Sequence, residues 1–283
     1  MAQSKSHAVA AAILERLKAE SDLNLDANPI SQEDLFRLEE ACGGDFKRLK
    51  RYLRRRLVGE PTAYILGFME FRGRRFKMDR RAFITDPETT HLVEAVIRHV
   101  RKYHGGERVL VAEVGSGCGS LAISLKGAVP TVDVVAVEID SQAIELAREN
   151  AAEQDVDIVF VESDLFDSWP GAAPPEVIFG DPPWGDHTTL YDAARGARHY
   201  LAMPPISAFP IGHRTQAHRQ ILEDVRRRKW TSHLFLNCGS LPRAEIEALA
   251  PSGFSWEVQC PARGLGILHG HFAGAFTQDG KPG

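Results

Sequence analysis

At 283 residues the chain has room for one large domain or two unequal ones, and its 43% hydrophobic and 25% charged residues are ordinary for a globular protein. A net charge of -4 predicts no general attraction to nucleic acid or to a membrane surface, and the apolar runs are strand-sized, too short to span a bilayer. Cys42, Cys118, Cys238 and Cys260 lie far apart with no C-x-x-C pair, which reads as free thiols in a reduced, cytoplasmic protein.

The start, Met1-Ala-Gln-Ser-Lys, leads into an amphipathic helix carrying Glu15, Lys18 and Glu20 and is unlike a secretory signal. Val9, Ile13, Leu14 and Leu17 recur at helical spacing, and Ser31 with Asp34 reads as a loose capping box entering Leu35-Phe-Arg-Leu38. Gly43-Gly44 ends that helix, and another follows through Phe46, Leu49, Tyr52 and Leu53. These elements predict a small helical N-terminal domain over residues 1–60. A basic stretch begins at its end and runs from Lys47 to Arg81, interrupted only by Glu60, Glu70 and Asp79. A solvated face with snorkelling arginines is the expected reading, ahead of docking onto RNA or an acidic partner. Ala63–Lys77 alternates apolar and polar residues around a Gly73 turn, which predicts a β-hairpin linker over 61–86.

Pro87 sits at the favoured first turn of a helix running from Glu88 to about Tyr103. Strands then alternate with helices: Val109–Val114, Val132–Val137, Ile158–Val161, Glu176–Phe179 and His233–Leu236 as strands, with helices at Leu121–Leu125, Ser141–Glu153 and Gln216–Arg227. Ser255–Val258 and Ile267–Phe272 read as a closing antiparallel pair. The expected class is α/β, a parallel sheet wrapped on both faces by helices over residues 87–277, with a disordered tail at 278–283.

The chemistry concentrates at the carboxyl ends of these strands. After the first comes Glu113-Val-Gly115-Ser-Gly117-Cys-Gly119, whose glycines admit a ligand close to the backbone at a helix N-terminus. Ser120 stands where a dinucleotide fingerprint would place its third glycine, and Glu113 suits an ammonium or ribose better than a pyrophosphate. Glu138 follows at the end of the second strand, placed to accept from a ribose diol, and Asp164 after the third, with Leu165 and Phe166 beside it to hold a flat base. After the fourth come Asp181-Pro182-Pro183-Trp184. Two successive prolines force the chain out of the sheet, presenting a carboxylate and a prolyl carbonyl as acceptors one rigid step before an indole.

Glu113-Val-Gly-Ser-Gly-Cys-Gly119, Ala136-Val-Glu138, Ser163-Asp-Leu-Phe166 and Asp181-Pro-Pro-Trp184 resemble the successive motifs of class I S-adenosylmethionine-dependent methyltransferases. The nearest resemblance is to the protein-glutamine N5-methyltransferases of the PrmC/HemK type, which modify peptide release factors. Gly59-Glu-Pro-Thr-Ala-Tyr-Ile-Leu-Gly67 and Phe83-Ile-Thr-Asp-Pro-Glu-Thr89 are similar to that family's linker. The resemblance implies a seven-stranded Rossmann-like methyltransferase domain behind the helical domain. It also implies S-adenosyl-L-methionine as cofactor, leaving as S-adenosyl-L-homocysteine. Glu113, Gly115, Gly117, Glu138, Asp164, Leu165 and Asp181 would bind that cofactor, and Asp181, Pro182 and Trp184 would hold a nitrogen nucleophile.

The departures are as informative. The family carries Asn-Pro-Pro-Tyr where this chain has Asp181-Pro-Pro-Trp184, and Arg-Pro-Glu-Thr-Glu where it has Asp86-Pro-Glu-Thr-Thr90. An asparagine both donates and accepts, whereas an aspartate only accepts, so the exchange suits a substrate rich in donors. Asp181 and Trp184 would clamp a guanidinium, with Asp181 or Glu88 as the base that removes its proton. The expected substrate is thus a small cationic molecule, free arginine above all, in the manner of natural-product biosynthesis. The alternative is the glutamine of a release factor. A reading of another class is a methyltransferase fold that no longer turns over and docks RNA or protein. The long segment after Trp184 reads as a substrate lid, with His187, Tyr191 and Tyr200 as contacts. No metal is expected: His269 and His271 alternate on the last strand, but the sequence announces no further ligand beside them.

Overall fold

In a computed structural model, residues 2–19, 30–186, 200–262 and 265–273 are described, and of residues 2–9 the backbone alone. The expected disordered tail, His187 and Tyr191 lie outside the described residues.

Helices α1 (Ala2–Ala19), α2 (Gln32–Cys42), α3 (Phe46–Leu57) and the short α4 (Thr62–Leu66) come first. Ser31 caps α2, its hydroxyl accepting from the Asp34 N–H at 3.0 Å, and Gly43 closes it in the left-handed region. Asp34 does not reach back in a reciprocal box. Its carboxylate instead accepts from the Thr62 hydroxyl at 2.5 Å and pairs with the buried Arg56 at 3.1 Å, tying α2 to α3 and α4. Leu14, Leu17, Leu35, Leu38, Leu49, Leu53 and Ile65 fill a small core of their own.

The expected hairpin starts later than its alternation suggested, because Ala63–Leu66 is helical. The Pro61 carbonyl accepts from the Ile65 N–H, and Gly67, in the left-handed region, ends the turn. Four apolar residues in a row fit either state, and the flanking proline and glycine decide for helix. The hairpin itself pairs β1 (Phe68–Phe71) with β2 (Arg74–Lys77). Met69, Phe71, Phe76 and Met78 are buried in the main core. Part of the basic stretch is paired within the chain: Arg55 and Arg80 meet Glu60, Arg72 meets Glu94, Arg75 meets Glu70, and Arg81 bridges Asp79 and Glu149.

A 3-10 turn at Pro87–Thr89 leads into α5 (Thr90–His104). There follow β3 (Val109–Val114), α6 (Ser120–Ala128), β4 (Val132–Glu138), α7 (Ser141–Glu153), β5 (Val159–Glu162) and β6 (Val177–Gly180). The chain ends through α8 (Pro205–Ala208), α9 (Gln216–Arg227), β7 (His233–Gly239), α10 (Arg243–Glu247), β8 (Phe254–Ala262) and β9 (Leu265–Phe272). Seven strands form one sheet in the order β5-β4-β3-β6-β7-β9-β8. The first five are parallel, and β9 and β8 close the edge antiparallel. Alternation sorts the side chains. Val109, Val111, Phe179 and Phe235 face one helical layer, whereas Ala112, Val114, Ile178, Leu234 and Leu236 face the other. Burial on both faces is what makes these strands read as nearly continuous apolar runs.

Order reverses between β4-β3 and β6-β7, so the loops after β3 and β6 part to opposite sides. A crevice at such a switch point is where an open α/β sheet binds ligands. No helix among the described residues is long and apolar enough to cross a membrane.

Candidate active site

β3 delivers the chain into Gly115–Gly119, and the loop folds over the end of β4. Gly115 and Ser116 N–H both donate to the Val137 carbonyl, at 2.9 and 3.3 Å, and Gly117 N–H donates to Glu138 Oε2 at 2.9 Å. Gly119 has a φ of 81°, and a Cβ added there would stand 3.2 Å from the Ala147 side chain, so neither the angle nor the space admits another residue easily. Asn150, fully buried on α7, holds the loop from behind. Its amide donates to the Cys118 carbonyl at 2.9 Å and exchanges hydrogen bonds with the Lys77 backbone at 2.7 and 3.1 Å, so the hairpin braces the loop.

Glu113 lies beneath this loop at 1% exposure, accepting from the Ala122 N–H in the first turn of α6 at 3.2 Å. Burial pushes its carboxyl well above the usual range, with Glu138 and Asp181 nearby adding to the rise against the Ala122 hydrogen bond. Glu138 stands at the cleft, where Gly117 donates to one oxygen and the Ile139 and Asp140 N–H groups to the other. Burial raises its pKa also, opposed by those three donors.

Asp181 forms the far wall. Its Oδ1 accepts from Asn237 Nδ2 at 2.6 Å and its Oδ2 from the Thr89 hydroxyl at 3.0 Å. Burial lifts the carboxyl to about 6, and Asp86 beside it lifts it too, against the pull of the two donors. Three separate elements thus fix one carboxylate: the strand end of β6, β7 through Asn237, and the turn before α5 through Thr89. Behind it, Trp184 lies against Gly239, where an added Cβ would overlap the indole.

The cleft so formed is open to solvent on one side. Gly115, Gly117, Glu138, Asp164, Leu165, Asp181, Pro182 and Trp184 all border it, so the structure brings these sequence candidates together. Others fall elsewhere. Glu113 does not border the cleft and acts on the loop from below. Phe166 is fully buried in the second core, edge-on to Trp169 and Trp230, so only Leu165 is left to face a base. Glu88 is exposed and off the cleft, because the tight turn at Pro87–Thr89 carries Thr89 inward instead, and a base role for Glu88 has no geometric support. Tyr200 is fully buried in the main core and does not border the cleft, so it is a packing residue here rather than a substrate contact. Trp184 is 8% exposed and packed into the second core, a wall of the cleft more than a free-standing plate.

Thr89 and Asn237 escape a reading of the sequence alone. Asn237 is the polar residue within the apolar run of β7, and that interruption is its signal. Its carbonyl accepts from buried His218 Nε2 at 2.7 Å, and its Oδ1 from the Gly239 N–H at 2.9 Å.

The residues fit S-adenosylmethionine. Carboxylates of Glu138, Asp164 and Asp181 suit the hydroxyls and positive charge of that molecule, and Val137, Ile139, Leu165 and Ile221 offer apolar contact to a flat base. Ser116 borders the cleft with a buried hydroxyl that has no hydrogen-bond partner among the described residues, a group for a ligand to satisfy.

Comparison with known proteins agrees. Residues 85–198 match the methyltransferase small domain. The chain is 38% identical over 139 residues to the release factor glutamine methyltransferase of Neisseria gonorrhoeae, covering 49% of each chain. It is 36% identical over 151 residues to that of Deinococcus radiodurans, covering 53% of this chain and 52% of the other. In these matches the chain spans about half the length of the relatives. Among solved structures, the hMettl16 catalytic domain in complex with the MAT2A 3'UTR hairpin 6 superposes with a TM-score of 0.53 at 13% identity, over 71% of this chain and 77% of that one. Fold and matched domain together give this chain the architecture of the class I S-adenosylmethionine-dependent methyltransferases, and over the part that matches it resembles the release factor glutamine methyltransferases.

Proposed function

We propose that the chain methylates a side-chain amide nitrogen, that of a glutamine in a release factor. The observation that carries this is the setting of Asp181: a carboxyl at the cofactor cleft, held near neutrality and fixed by Thr89 and Asn237. The names of the relatives support the same substrate.

A glutamine amide presents N–H donors and a carbonyl acceptor, which an asparagine meets with one group of each kind. Asp181 meets them through its proton. With a pKa of about 6 it exchanges that proton near neutral pH, so one oxygen can accept from the amide N–H while the other, when protonated, donates to the amide carbonyl. The Pro182 carbonyl, held by the rigid Pro-Pro step, is a second acceptor for the amide nitrogen. These contacts orient the nitrogen and strip it of water, and orientation is most of what a direct group transfer requires. Bound S-adenosylmethionine supplies an electrophilic methyl group on a sulfonium. The walls formed by Trp184, Leu165 and Ile221 keep the site apolar around it.

A second reading keeps a guanidine such as free arginine as substrate, since Asp86 stands beside Asp181 and two carboxylates favour a cation. Exposing the purified chain to labelled S-adenosylmethionine with a release factor, free arginine, other guanidines and amines separates the two. Label on the glutamine of the release factor's GGQ motif, with arginine ignored, is the expected result. Turnover of arginine alone would transfer the assignment to the guanidine. The non-catalytic reading rests on the basic stretch, and many of those side chains pair with acids of the same chain.

A further inference from the structure

Far from the cleft, at the amino end of the parallel strands, three histidines from distant parts of the sequence converge. His233 opens β7, His269 lies on β9, and His99 is buried in the second half of α5. Phe235 pairs with His269, and the two-residue period of a strand puts His233 and His271 on that same face, under α5. Ring centroids of His99 and His233 are 4.4 Å apart, of His99 and His269 5.7 Å, and of His233 and His269 5.8 Å. One ring nitrogen from each lies within 4.8 Å of the others.

The rings are prepared as ligands. His269 stacks on Phe235 at 4.1 Å, and its Nδ1 lies 3.1 Å from Glu257 Oε1. In the tautomer whose Nδ1–H donates to that carboxylate, Nε2 keeps its lone pair, the arrangement usual behind a metal-bound histidine. Nε2 of His269 is buried with no hydrogen-bond partner among the described residues, and so is Nε2 of His99. Packing alone does not account for them, since a phenyl ring fills the same space without adding nitrogens that find no partner.

We propose that His99, His233 and His269 bind a divalent transition-metal ion, zinc above all, at a site separate from the methyl-transfer cleft. Imidazole nitrogens suit zinc, copper and nickel, and zinc takes them at about 2.0–2.1 Å. In a tetrahedron such nitrogens stand about 3.3 Å apart, so modest side-chain rotation closes the present spacing. The fourth position is open to water or to His271, whose ring lies 4.8 Å from that of His233. The sequence alone points to His269 and His271. The other ligands come from α5 and β7, which no local spacing connects. An ion here staples α5 to the antiparallel edge of the sheet.

The test uses the full untagged chain, stripped with chelator, dialysed and titrated with zinc, and in parallel with cobalt(II) as a visible probe. The expected result is one ion per chain, intense visible bands of tetrahedral cobalt, and a raised melting temperature with zinc. His269→Phe and His99→Phe should weaken binding at least about 100-fold, and Glu257→Gln, at an exposed position that leaves folding untouched, about 10-fold or more. Circular dichroism of each variant checks that the fold survives, and binding of S-adenosylmethionine should not change. Absence of a one-to-one complex in the wild-type chain, or equal affinity in wild type, His269→Phe and Glu257→Gln, overturns the proposal.

Discussion

Replacing Asp181 by asparagine tests the site most directly, because it changes charge while keeping shape. Burial holds the carboxyl at about 6 in the folded chain against an ordinary 3.8, so the fold favours the protonated form. Below about pH 3 the group is protonated in folded and unfolded chain alike and costs nothing. As pH rises towards 6 the unfolded chain ionises first, and stability is lost until the difference reaches about 3 kcal/mol above the folded pKa. An asparagine at this position cannot ionise and escapes that loss. Part of the gain is given back, since its NH2 now faces the hydrogen-bond donors Asn237 and Thr89, although the Thr89 hydroxyl can turn to accept. The net expectation for Asp181→Asn is about 1–3 kcal/mol of added stability at pH 8, shrinking towards none at pH 3. Thermal unfolding of both proteins at several pH values measures it, as a rise of several degrees at the alkaline end. Under the proposed function, methyl transfer to a release factor should be kept or increased, because asparagine offers both partners of an amide at every pH. A variant less stable than wild type at pH 8, or a gain that does not depend on pH, would refute a buried carboxyl that ionises at a cost to the fold.

Thr89→Val removes one donor to Asp181 while preserving volume, so the carboxyl rises further and the midpoint of the pH dependence of kcat/KM moves up by about one unit. Glu138→Gln leaves at least one of three backbone N–H groups without its acceptor and loosens the glycine loop. S-adenosylmethionine affinity, measured by calorimetry, should fall about 10- to 100-fold. Gly239→Ala forces a Cβ against the Trp184 indole and strains a φ of 49°, costing about 2 kcal/mol or more in thermal unfolding and weakening cofactor binding with it.

Strands buried on both faces announce themselves as apolar runs, and glycines between a strand and a helix announce a ligand loop. The sheet and the residues at its carboxyl ends are therefore legible in the sequence. What is not legible there is which neighbour a side chain finds. Glu88 has the right chemistry for a base, yet a single turn of backbone turns it outward and buries Thr89 against Asp181 instead. Tyr200 reads as part of a lid and is a core residue, because an aromatic ring in a polar segment is as readily an anchor as a contact. Asn237 is hidden in plain sight: one amide in an apolar strand is easily passed over, although a polar group that folding buries must have a partner somewhere. The three histidines cannot be joined from the sequence at all, since only the packing of α5 on β7 and β9 brings them together.

The contact between Gly239 and Trp184 also constrains how this site can change over generations. The indole occupies the space where any other residue at 239 would place its side chain, so each position sets what the other tolerates. A first substitution at 239 is harmful while Trp184 remains, and becomes acceptable only once 184 has shrunk. Smaller rings at 184 relax that demand, whereas a lineage that has acquired the indole is committed to glycine on β7. Among close relatives the two sites should therefore drift as a pair, with tryptophan at the first appearing only where the second carries no side chain.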